Sequence, residues 1–177
     1  MDMAIICKDA AREYIKVDKN FEIIGTLVQN SDVFLTRSAK PSKIGITQNR
    51  AYQNGLITSS YPEAEAVELL GSALPYALTS KQVDAVVIDA VKTIGLAGNV
   101  KEYKLQEPVD TYVLIVDKKF KKTQAYETFV EFYNQSAEAL QDKNELIKTI
   151  ETYKKRDLTN KEMEMVNKWK LKLLPIK

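Results

Sequence analysis

Histidine is absent from this chain of 177 residues, and cysteine occurs once, at Cys7. The absence of histidine excludes Ser–His–Asp triads, histidine general bases and histidine metal ligands. A single cysteine excludes an internal disulfide and argues against a zinc site. Cys7 lies inside an apolar run, which is typical of a small buried side chain. We therefore expect no catalytic residue, no metal ion and no cofactor.

A surplus of charge of one sign and a long apolar run are also missing. The 26 Lys and Arg residues nearly balance the 24 Asp and Glu residues, so the net charge is +2. Such a balance gives no electrostatic footprint for nucleic acid, and glutamate is interleaved throughout the Lys-rich C-terminal third. No apolar run approaches the roughly 18 residues of a membrane-spanning helix. We expect no nucleic-acid partner and no membrane span.

Strand and helix patterns alternate along the first two thirds of the chain, and helix patterns alone follow. Apolar runs predict strands at 2–7, 21–28, 33–37, 43–47, 65–70, 83–88, 100–106 and 111–116. Helices are predicted at 9–16, 48–57, 73–81, 89–96, 123–140, 144–155 and 160–173. Asp9 is the predicted N-cap of the first helix, and Thr159 with Glu162 has the spacing of a capping box. This order predicts an α/β fold with mostly parallel sheets, flanking helices and a helical C-terminal extension.

One short motif occurs twice. Residues 81–90 read KQVDAVVIDA, and residues 1–10 read MDMAIICKDA. In each, an aspartate precedes small and β-branched residues, and an aspartate and an alanine follow. Asp84 and Asp2 stand at the amino ends of their predicted strands, so they are interpreted as acceptors for backbone N–H groups at the helix–strand turn. That interpretation is preferred to a pair of carboxylates for acid–base catalysis.

The order of KIGIT, a helix, EAVELL, a helix and TSKQVDAVVIDA resembles the second lobe of type 2 periplasmic solute-binding proteins. The nitrate, sulfonate and taurine group is the most similar. In that family a helix of each of two α/β lobes runs into a strand through a junction like residues 80–85. Residues 2–6 resemble the matching strand of the first lobe, and residues 25–37 resemble the crossover. The resemblance implies three segments, which are a first-lobe remnant with crossover at 1–37, a second α/β lobe at 38–116 and packing helices at 117–177.

The same resemblance implies a function. The expected fold is type 2 periplasmic-binding-protein-like with an incomplete first lobe, because the family has a secretion signal and most of that lobe before the position of Met1. The expected function is non-catalytic binding of a small polar or anionic solute in a cleft between the lobes. The expected partners are this ligand and transporter subunits of an ABC system. A second copy of the chain is a further expected partner if the chain is a truncated copy that dimerises through its exposed sheet. Localisation is expected to be cytoplasmic as the sequence is written, and extracytoplasmic if the N-terminus is truncated.

Two other functions remain open on the same fold. One is a cytoplasmic ligand-sensing module that resembles the effector domain of LysR-type transcription factors, acting as a detached sensor. The other is an enzyme, in which Asp, Lys or Tyr would replace the missing histidine.

The first group of candidate ligand-binding residues follows the KIGIT strand, because open α/β sheets bind ligands beyond the carboxyl ends of their strands. A helix is predicted to begin there, and its free N–H groups and dipole favour an anion. Arg50 would add a bidentate contact, and Tyr52 would form a wall. The alternative is that Thr47 and Asn49 cap the helix and that Arg50 lies on the surface. The candidates are Thr47, Gln48, Asn49, Arg50 and Tyr52.

The remaining candidates follow other strands. Asp89 would bind an amine or hydroxyl of the ligand, or alternatively cap the next helix. Lys8 and Asp9 occupy the matching place in the other copy of the motif. Asn30 and Ser31 lie near the predicted crossover, where pockets concentrate, or alternatively serve as turn residues.

Overall fold

The structure is a computed structural model that describes residues 1–104 and 107–177. The strands are β1 (Met3–Cys7), β2 (Phe21–Gln29), β3 (Asp32–Thr36), β4 (Lys43–Thr47), β5 (Glu65–Leu69), β6 (Ala85–Asp89), β7 (Asn99–Lys101), β8 (Asp110–Asp117) and β9 (Lys172–Leu173). The helices are α1 (Lys8–Val17), α2 (Ala51–Ser60), α3 (Leu74–Thr79), α4 (Ala90–Thr93), α5 (Gln124–Ala139), α6 (Lys143–Lys154) and α7 (Asn160–Lys168), with a 3-10 turn at Phe120–Lys122.

The predicted strands and helices occur in the predicted order with differences at their ends, and β9 and the 3-10 turn are additional elements. The predicted helix at 160–173 ends at Lys168 and is followed by β9, because Trp169 is buried and Leu173 pairs with β2 instead of continuing the helix. Asp9 is not the N-cap of α1, since the helix begins directly after Cys7. The predicted strand 100–106 ends at Lys101, and its residues 105–106 lie outside the described part of the chain. The capping box of α7 is confirmed.

The chain divides into two compact units. Residues Met1–Asn30 and Val109–Lys177 form the first, called the terminal unit, and residues Ser31–Pro108 form the second, called the central unit. The terminal unit contains a four-stranded sheet in the order β1-β8-β2-β9. Helix α1 covers one face of this sheet, and α5 covers the other. The side chains buried on the two faces are Ala11, Phe21, Val113 and Ile115 on the first, and Leu27, Leu114, Val116 and Tyr126 on the second.

The central unit contains a five-stranded sheet in the order β5-β4-β6-β3-β7. Strands β3 and β6 lie in its middle, and every residue of β3 is buried. Helix α3 packs on one face, where Leu35, Val86 and Ile88 meet Leu74 and Leu78. Strands β3, β4, β5 and β6 have five residues each and β7 has three, so the ends of the four longer strands form the two ends of the sheet.

The prediction of mostly parallel sheets is wrong for the described residues, where only β4 pairs in parallel, with β5 and β6. The strand–helix–strand units are present. Strands β1 and β2 flank α1 and run in the same direction, but β8 lies between them and runs against both. Strand β3 likewise runs against β6. A crossover helix sets the relative direction of the two strands it joins, but a strand from elsewhere in the chain can still pair between them.

The two units also differ from the three predicted segments. The predicted segment 38–116 includes most of β8, but β8 pairs with β1 and β2 and belongs with residues 1–30. The predicted crossover includes β3, but β3 pairs with β6 inside the central unit. Both differences arise because the partners of these strands are distant in sequence. The interpretation of residues 1–37 as a first-lobe remnant stays a prediction.

Asp84 has the structural role predicted for it, with different partners. Its Oδ2 accepts hydrogen bonds from the Ser42 hydroxyl at 2.7 Å, the Ser42 N–H at 2.8 Å and the Lys43 N–H at 3.1 Å. It therefore joins the start of β6 to the start of β4 and not to the preceding helix–strand turn. The hydrogen bonds from Ser42 and Lys43 lower the pKa of Asp84 below its usual 3.8.

Replacing Asp84 by alanine is expected to lower the free energy of unfolding at pH 7 by about 1–2 kcal/mol, because the donors of Ser42 and Lys43 lose their acceptor. The folded-state pKa is lowered, so the carboxylate stabilises the fold above pH 3.8, and this contribution is lost as the pH falls through the lowered pKa. Urea unfolding at pH 7 and in steps below pH 4 measures both effects. The exposed Asp157→Ala is the control, and equal stability of the two variants at pH 7 would contradict the prediction.

Candidate functional site

Polar side chains meet at one edge of the sheet in the central unit. Strands β4, β5 and β6 run parallel, so their carboxyl ends lie at this edge, and the antiparallel β3 begins there. The register pairs Asp32, the first residue of β3, directly with Asp89, the last residue of β6. Ligands of open α/β sheets bind at such an edge. We call the following residues the edge cluster: Ser31, Asp32, Arg50, Tyr52, Gln53 and Asp89.

Asp32 is at the centre of the edge cluster and is fully buried. Its Oδ2 accepts hydrogen bonds from the Tyr52 hydroxyl at 2.7 Å and from Gln53 Nε2 at 2.6 Å. Arg50 Nη1 lies 3.8 Å from the other oxygen, Oδ1, which accepts no hydrogen bond within the described residues. A buried carboxylate oxygen without a donor has lost its water without a replacement. This oxygen is therefore chemically suited to accept an N–H or O–H from a bound molecule.

Gln53 connects this carboxylate to the end of β4. Its Nε2 donates to Asp32, and its Oε1 accepts from the Thr47 N–H at 2.8 Å. The side chain is fully buried, so both ends of its amide are held in place. Sequence reasoning missed both Gln53 and Asp32. Gln53 follows Arg50 by three residues on the same helix face, but the role of Asp32 becomes visible only when β3 is paired with β6.

Asp89 carries the second carboxylate of the edge cluster. Its Oδ1 accepts from the Val91 N–H at 3.1 Å, so it is the N-cap of α4, as the alternative interpretation predicted. Burial is the largest cause that raises the pKa of Asp89 above 3.8, and the charge of Asp32 is the next. The hydrogen bond from Val91 and the charges of Lys92 and Arg50 act in the opposite direction. The two carboxylates therefore repel each other in the charged state.

Tyr103 lies within the electrostatic field of the same cluster. Burial and then the charges of Glu102 and Asp32 raise the pKa of Tyr103 well above its usual 10. Its hydroxyl is therefore protonated at neutral pH and can act as a hydrogen-bond donor.

Among the other residues predicted in the central unit, Ser31 belongs to the edge cluster, while Gln48 and Asn49 directly follow β4. Ser31 is buried, its carbonyl accepts from the Ala90 N–H at 2.7 Å, and its hydroxyl has no hydrogen-bond partner among the described residues. Gln48 and Asn49 are exposed, and Asn49 has a left-handed φ of 60°. The alternative in which Thr47 and Asn49 cap α2 is wrong, because the turn at Asn49 places the N-cap at Arg50.

The predicted residues of the terminal unit make contacts within that unit. Lys8 Nζ lies 2.7 Å from Asp110 Oδ2, and Gln29 Nε2 donates to Asp110 Oδ1 at 2.9 Å. Burial acts to raise the pKa of Asp110, but the hydrogen bonds from Lys8 and Gln29 outweigh it and lower that pKa. Lys8 therefore has a structural partner. Asp9 has a buried Oδ2 with no hydrogen-bond partner among the described residues.

Asn30 is the last residue of the first segment of the terminal unit, Met1–Asn30, and it is a turn residue, as the alternative interpretation predicted. Its φ is 56°, its Oδ1 accepts from the Val109 N–H at 2.9 Å, and its Nδ2 donates to the Lys170 carbonyl at 3.1 Å. These bonds hold two distant parts of the terminal unit together.

Two further observations concern metal ions and membranes. Among residues 1–104 and 107–177, no three or more Asp, Glu or Cys side chains lie close enough together to hold a metal ion. In that same part of the chain, no helix has the length and apolar character needed to cross a membrane.

No protein-family model and no curated protein sequence matches this chain. Solved structures do match it. The alkanesulfonate-binding protein SsuA from Xanthomonas axonopodis pv. citri, bound to MOPS, has a TM-score of 0.69 and 14% identity over 100% of this chain and 70% of its own. The zinc-bound ligand-binding component of an ABC-type import system from Staphylococcus aureus has a TM-score of 0.69 and 11% identity over 99% and 68%. This chain has the fold of ABC-type solute-binding proteins.

The methionine-binding protein MetQ shares the solute-binding-protein fold, with a TM-score of 0.54 and 15% identity over 74% of this chain and 69% of its own. The expectation of a periplasmic-binding-protein-like α/β fold is therefore confirmed. At these identities the likeness concerns the fold, and the roles of individual residues have to be argued from the contacts within this chain.

Proposed function

We propose that this chain binds a small polar solute through the edge cluster, without converting it chemically. The observation that carries the proposal is the fully buried Asp32, whose Oδ1 has no hydrogen-bond donor within the described residues. The solute-binding-protein fold supports the same function. On this likeness alone we propose ABC transporter subunits as partners. Of the residues predicted from the sequence, Ser31, Thr47, Arg50, Tyr52 and Asp89 belong to this proposal.

The charges of the edge cluster favour a ligand with hydrogen-bond donors. Asp32 and Asp89 are directly paired across β3 and β6, whereas Arg50 carries the positive charge of the cluster. An ammonium group of a ligand would donate hydrogen bonds to these carboxylates, and its positive charge would offset the repulsion that contributes to the raised pKa of Asp89. A simple anion would add to the repulsion unless it met Arg50 alone.

A matched set of compounds separates the polar from the anionic alternative. Taurine and isethionate share a sulfonate and differ in an ammonium or a hydroxyl group, while ethanolamine keeps the ammonium and lacks the sulfonate. A bound compound at about 100 times its Kd stabilises the fold by about 2.7 kcal/mol, which thermal unfolding detects. We expect stabilisation by compounds that carry the ammonium, and calorimetric titration then gives Kd.

Asp89→Asn is the matching variant, because asparagine keeps the cap of α4 and removes the charge. We expect it to weaken binding of the ammonium compounds at least tenfold. Glu63→Gln makes the same carboxylate-to-amide change at an exposed position and is expected to bind as the natural chain does. If isethionate alone binds, the anionic alternative replaces ours, and no stabilisation by any of these or by a wider panel of amino acids, sulfonates and nucleobases overturns the proposal.

A further inference from the structure

The pairing of β3 with β6 brings the two aspartates of the edge cluster close together. The Ala90 N–H donates to the Ser31 carbonyl at 2.7 Å, so these two residues form a hydrogen-bonded pair at the end of the two strands. Bonded and non-bonded pairs alternate along antiparallel strands, and the next pair in the register is Asp32 with Asp89. In a non-bonded pair the Cα atoms are about 4.5 Å apart and the side chains lie closer than in a bonded pair. The backbone therefore places the two carboxyl groups side by side.

One oxygen of this pair of carboxyl groups lacks a donor. Asp32 Oδ1 is buried and accepts no hydrogen bond within the described residues, whereas Oδ2 accepts from Tyr52 and Gln53. On Asp89, Oδ1 accepts from the Val91 N–H. A protonated carboxyl group carries an O–H and can donate it. A proton on the other oxygen of Asp89 therefore supplies the donor that Asp32 Oδ1 lacks.

Charged and titratable groups from three other parts of the central unit act on the two aspartates. They are Arg50 and Tyr52 of α2 and its N-cap, Lys92 of α4, and Glu102 and Tyr103 after β7. Arg50 and Lys92 act to lower the pKa of Asp89, but burial, the largest cause, and the charge of Asp32 outweigh them. A buried pair of carboxyl groups takes up a proton more readily than a single one, because two like charges repel each other there.

The terminal unit has a similar backbone arrangement with a different neighbour. Asp110 is the first residue of β8, and the register pairs it with Gln29, the last residue of β2. Both of its oxygens have donors, Lys8 Nζ at 2.7 Å and Gln29 Nε2 at 2.9 Å. These hydrogen bonds lower the pKa of Asp110 although burial acts to raise it. At the matching place the central unit has a second carboxyl group, so the site is suited to bind one positive charge.

We propose that Asp32 and Asp89 of the ligand-free chain take up one shared proton as the pH falls, and that this proton and the ammonium group of the solute exclude each other. The inference rests on the proposed function, from which it takes the ammonium solute. The proton is bound to Asp89 and is donated to Asp32 Oδ1. When the solute binds, the proton passes to the solvent and the ammonium group brings one positive charge, so the net charge of the site is unchanged. Acid therefore releases the solute.

Calorimetric titration of the 177-residue chain with ethanolamine and with taurine tests this exchange. The ammonium groups of both compounds keep their charge between about pH 4 and pH 7. We expect Kd to be constant above the raised pKa of Asp89 and to rise about tenfold for each pH unit below it. Below that pKa, titrations in buffers of different ionisation enthalpy are expected to show release of about one proton per bound molecule. Circular dichroism at each pH checks that the chain stays folded.

Asp89→Asn imitates the protonated state, because its amide can donate to Asp32 Oδ1 and its oxygen keeps the N-cap of α4. We expect its weakened binding of both compounds to be independent of pH and to release no proton. Glu63→Gln makes the same carboxylate-to-amide change at an exposed position and is expected to keep the pH dependence of the natural chain.

A carboxyl NMR titration tests the shared proton without any ligand. The signal of Asp32 is expected to move in the same titration step as that of Asp89, because the two groups bind the proton as a pair. A signal of Asp32 that does not move in that step overturns the inference. Binding with a constant Kd over the same pH range and no proton release also overturns it, and leaves the proposed function standing. Absence of binding by both compounds overturns the proposed function and the exchange together.

Discussion

Replacement of Asp32 by alanine is expected to lower the free energy of unfolding by about 2–4 kcal/mol, because breaking a buried charged network leaves its remaining members unpaired. The Tyr52 hydroxyl and Gln53 Nε2 would lose their common acceptor, and Arg50 would lose a carboxylate oxygen that lies 3.8 Å from its Nη1. The substitution would also remove the negative charge that lies opposite Asp89 across β3 and β6. We therefore expect the pKa of Asp89 to fall towards 3.8, because the charge of Asp32 is the second largest cause that raises it.

Two measurements check this expectation. Urea unfolding gives the loss of stability, with the exposed Asp157→Ala as the control for the same change in composition. A carboxyl NMR titration gives the pKa of Asp89 in the natural chain and in Asp32→Asn, which keeps the shape of the side chain and removes its charge. An unchanged pKa of Asp89 in Asp32→Asn would show that burial alone raises it.

The raised pKa of Asp89 also sets a direction for the pH dependence of stability. A carboxyl group with a higher pKa in the folded state binds its proton more tightly there than in the unfolded chain. Its contribution to stability is therefore fully present below pH 3.8 and is lost as the pH rises through the raised pKa. The pKa of Asp84 is shifted in the opposite direction. As the pH rises, the free energy of unfolding of the natural chain should therefore fall relative to that of Asp89→Asn and rise relative to that of Asp84→Ala.

Phe34→Ala is expected to lower the free energy of unfolding by about 3–5 kcal/mol, because a buried aromatic ring is replaced by a cavity. Phe34 is fully buried in the middle of β3. Its ring meets that of Tyr61 edge to face, with the ring centres 5.0 Å apart and the planes at 88°. The loss therefore includes both the buried apolar area and an aromatic pair.

The chain contains a matched control for this substitution. Phe132 on α5 is 62% exposed, so Phe132→Ala makes the same chemical change outside the core and is expected to cost less than about 0.5 kcal/mol. Phe34→Leu keeps most of the volume and is expected to cost about 1–1.5 kcal/mol. Urea unfolding followed by far-ultraviolet circular dichroism ranks the three variants. Equal losses of stability for Phe34→Ala and Phe132→Ala would contradict the prediction that the buried ring of Phe34 stabilises the core.

Much of the fold could be predicted because its elements have local signatures. The strand KIGIT has the predicted bounds, and the capping box of Thr159 and Glu162 forms as its spacing predicts. The candidate site was only partly predictable. Arg50, Tyr52 and Asp89 were found because they follow strands, whereas Asp32 and Gln53 were missed. Asp32 comes before its strand, and its place at the same edge depends on β3 running against β6.

The sequence by itself determined the order of most strands and helices and the excluded histidine chemistry, since each depends on residue type or on near neighbours. Only the tertiary structure decided that β8 lies between β1 and β2, that β3 runs against β6, and that Asp32 faces Asp89. The physical reason is the same in all three cases. Antiparallel pairing joins residues far apart in the chain, and such pairing leaves no periodicity in either strand from which the partner can be inferred.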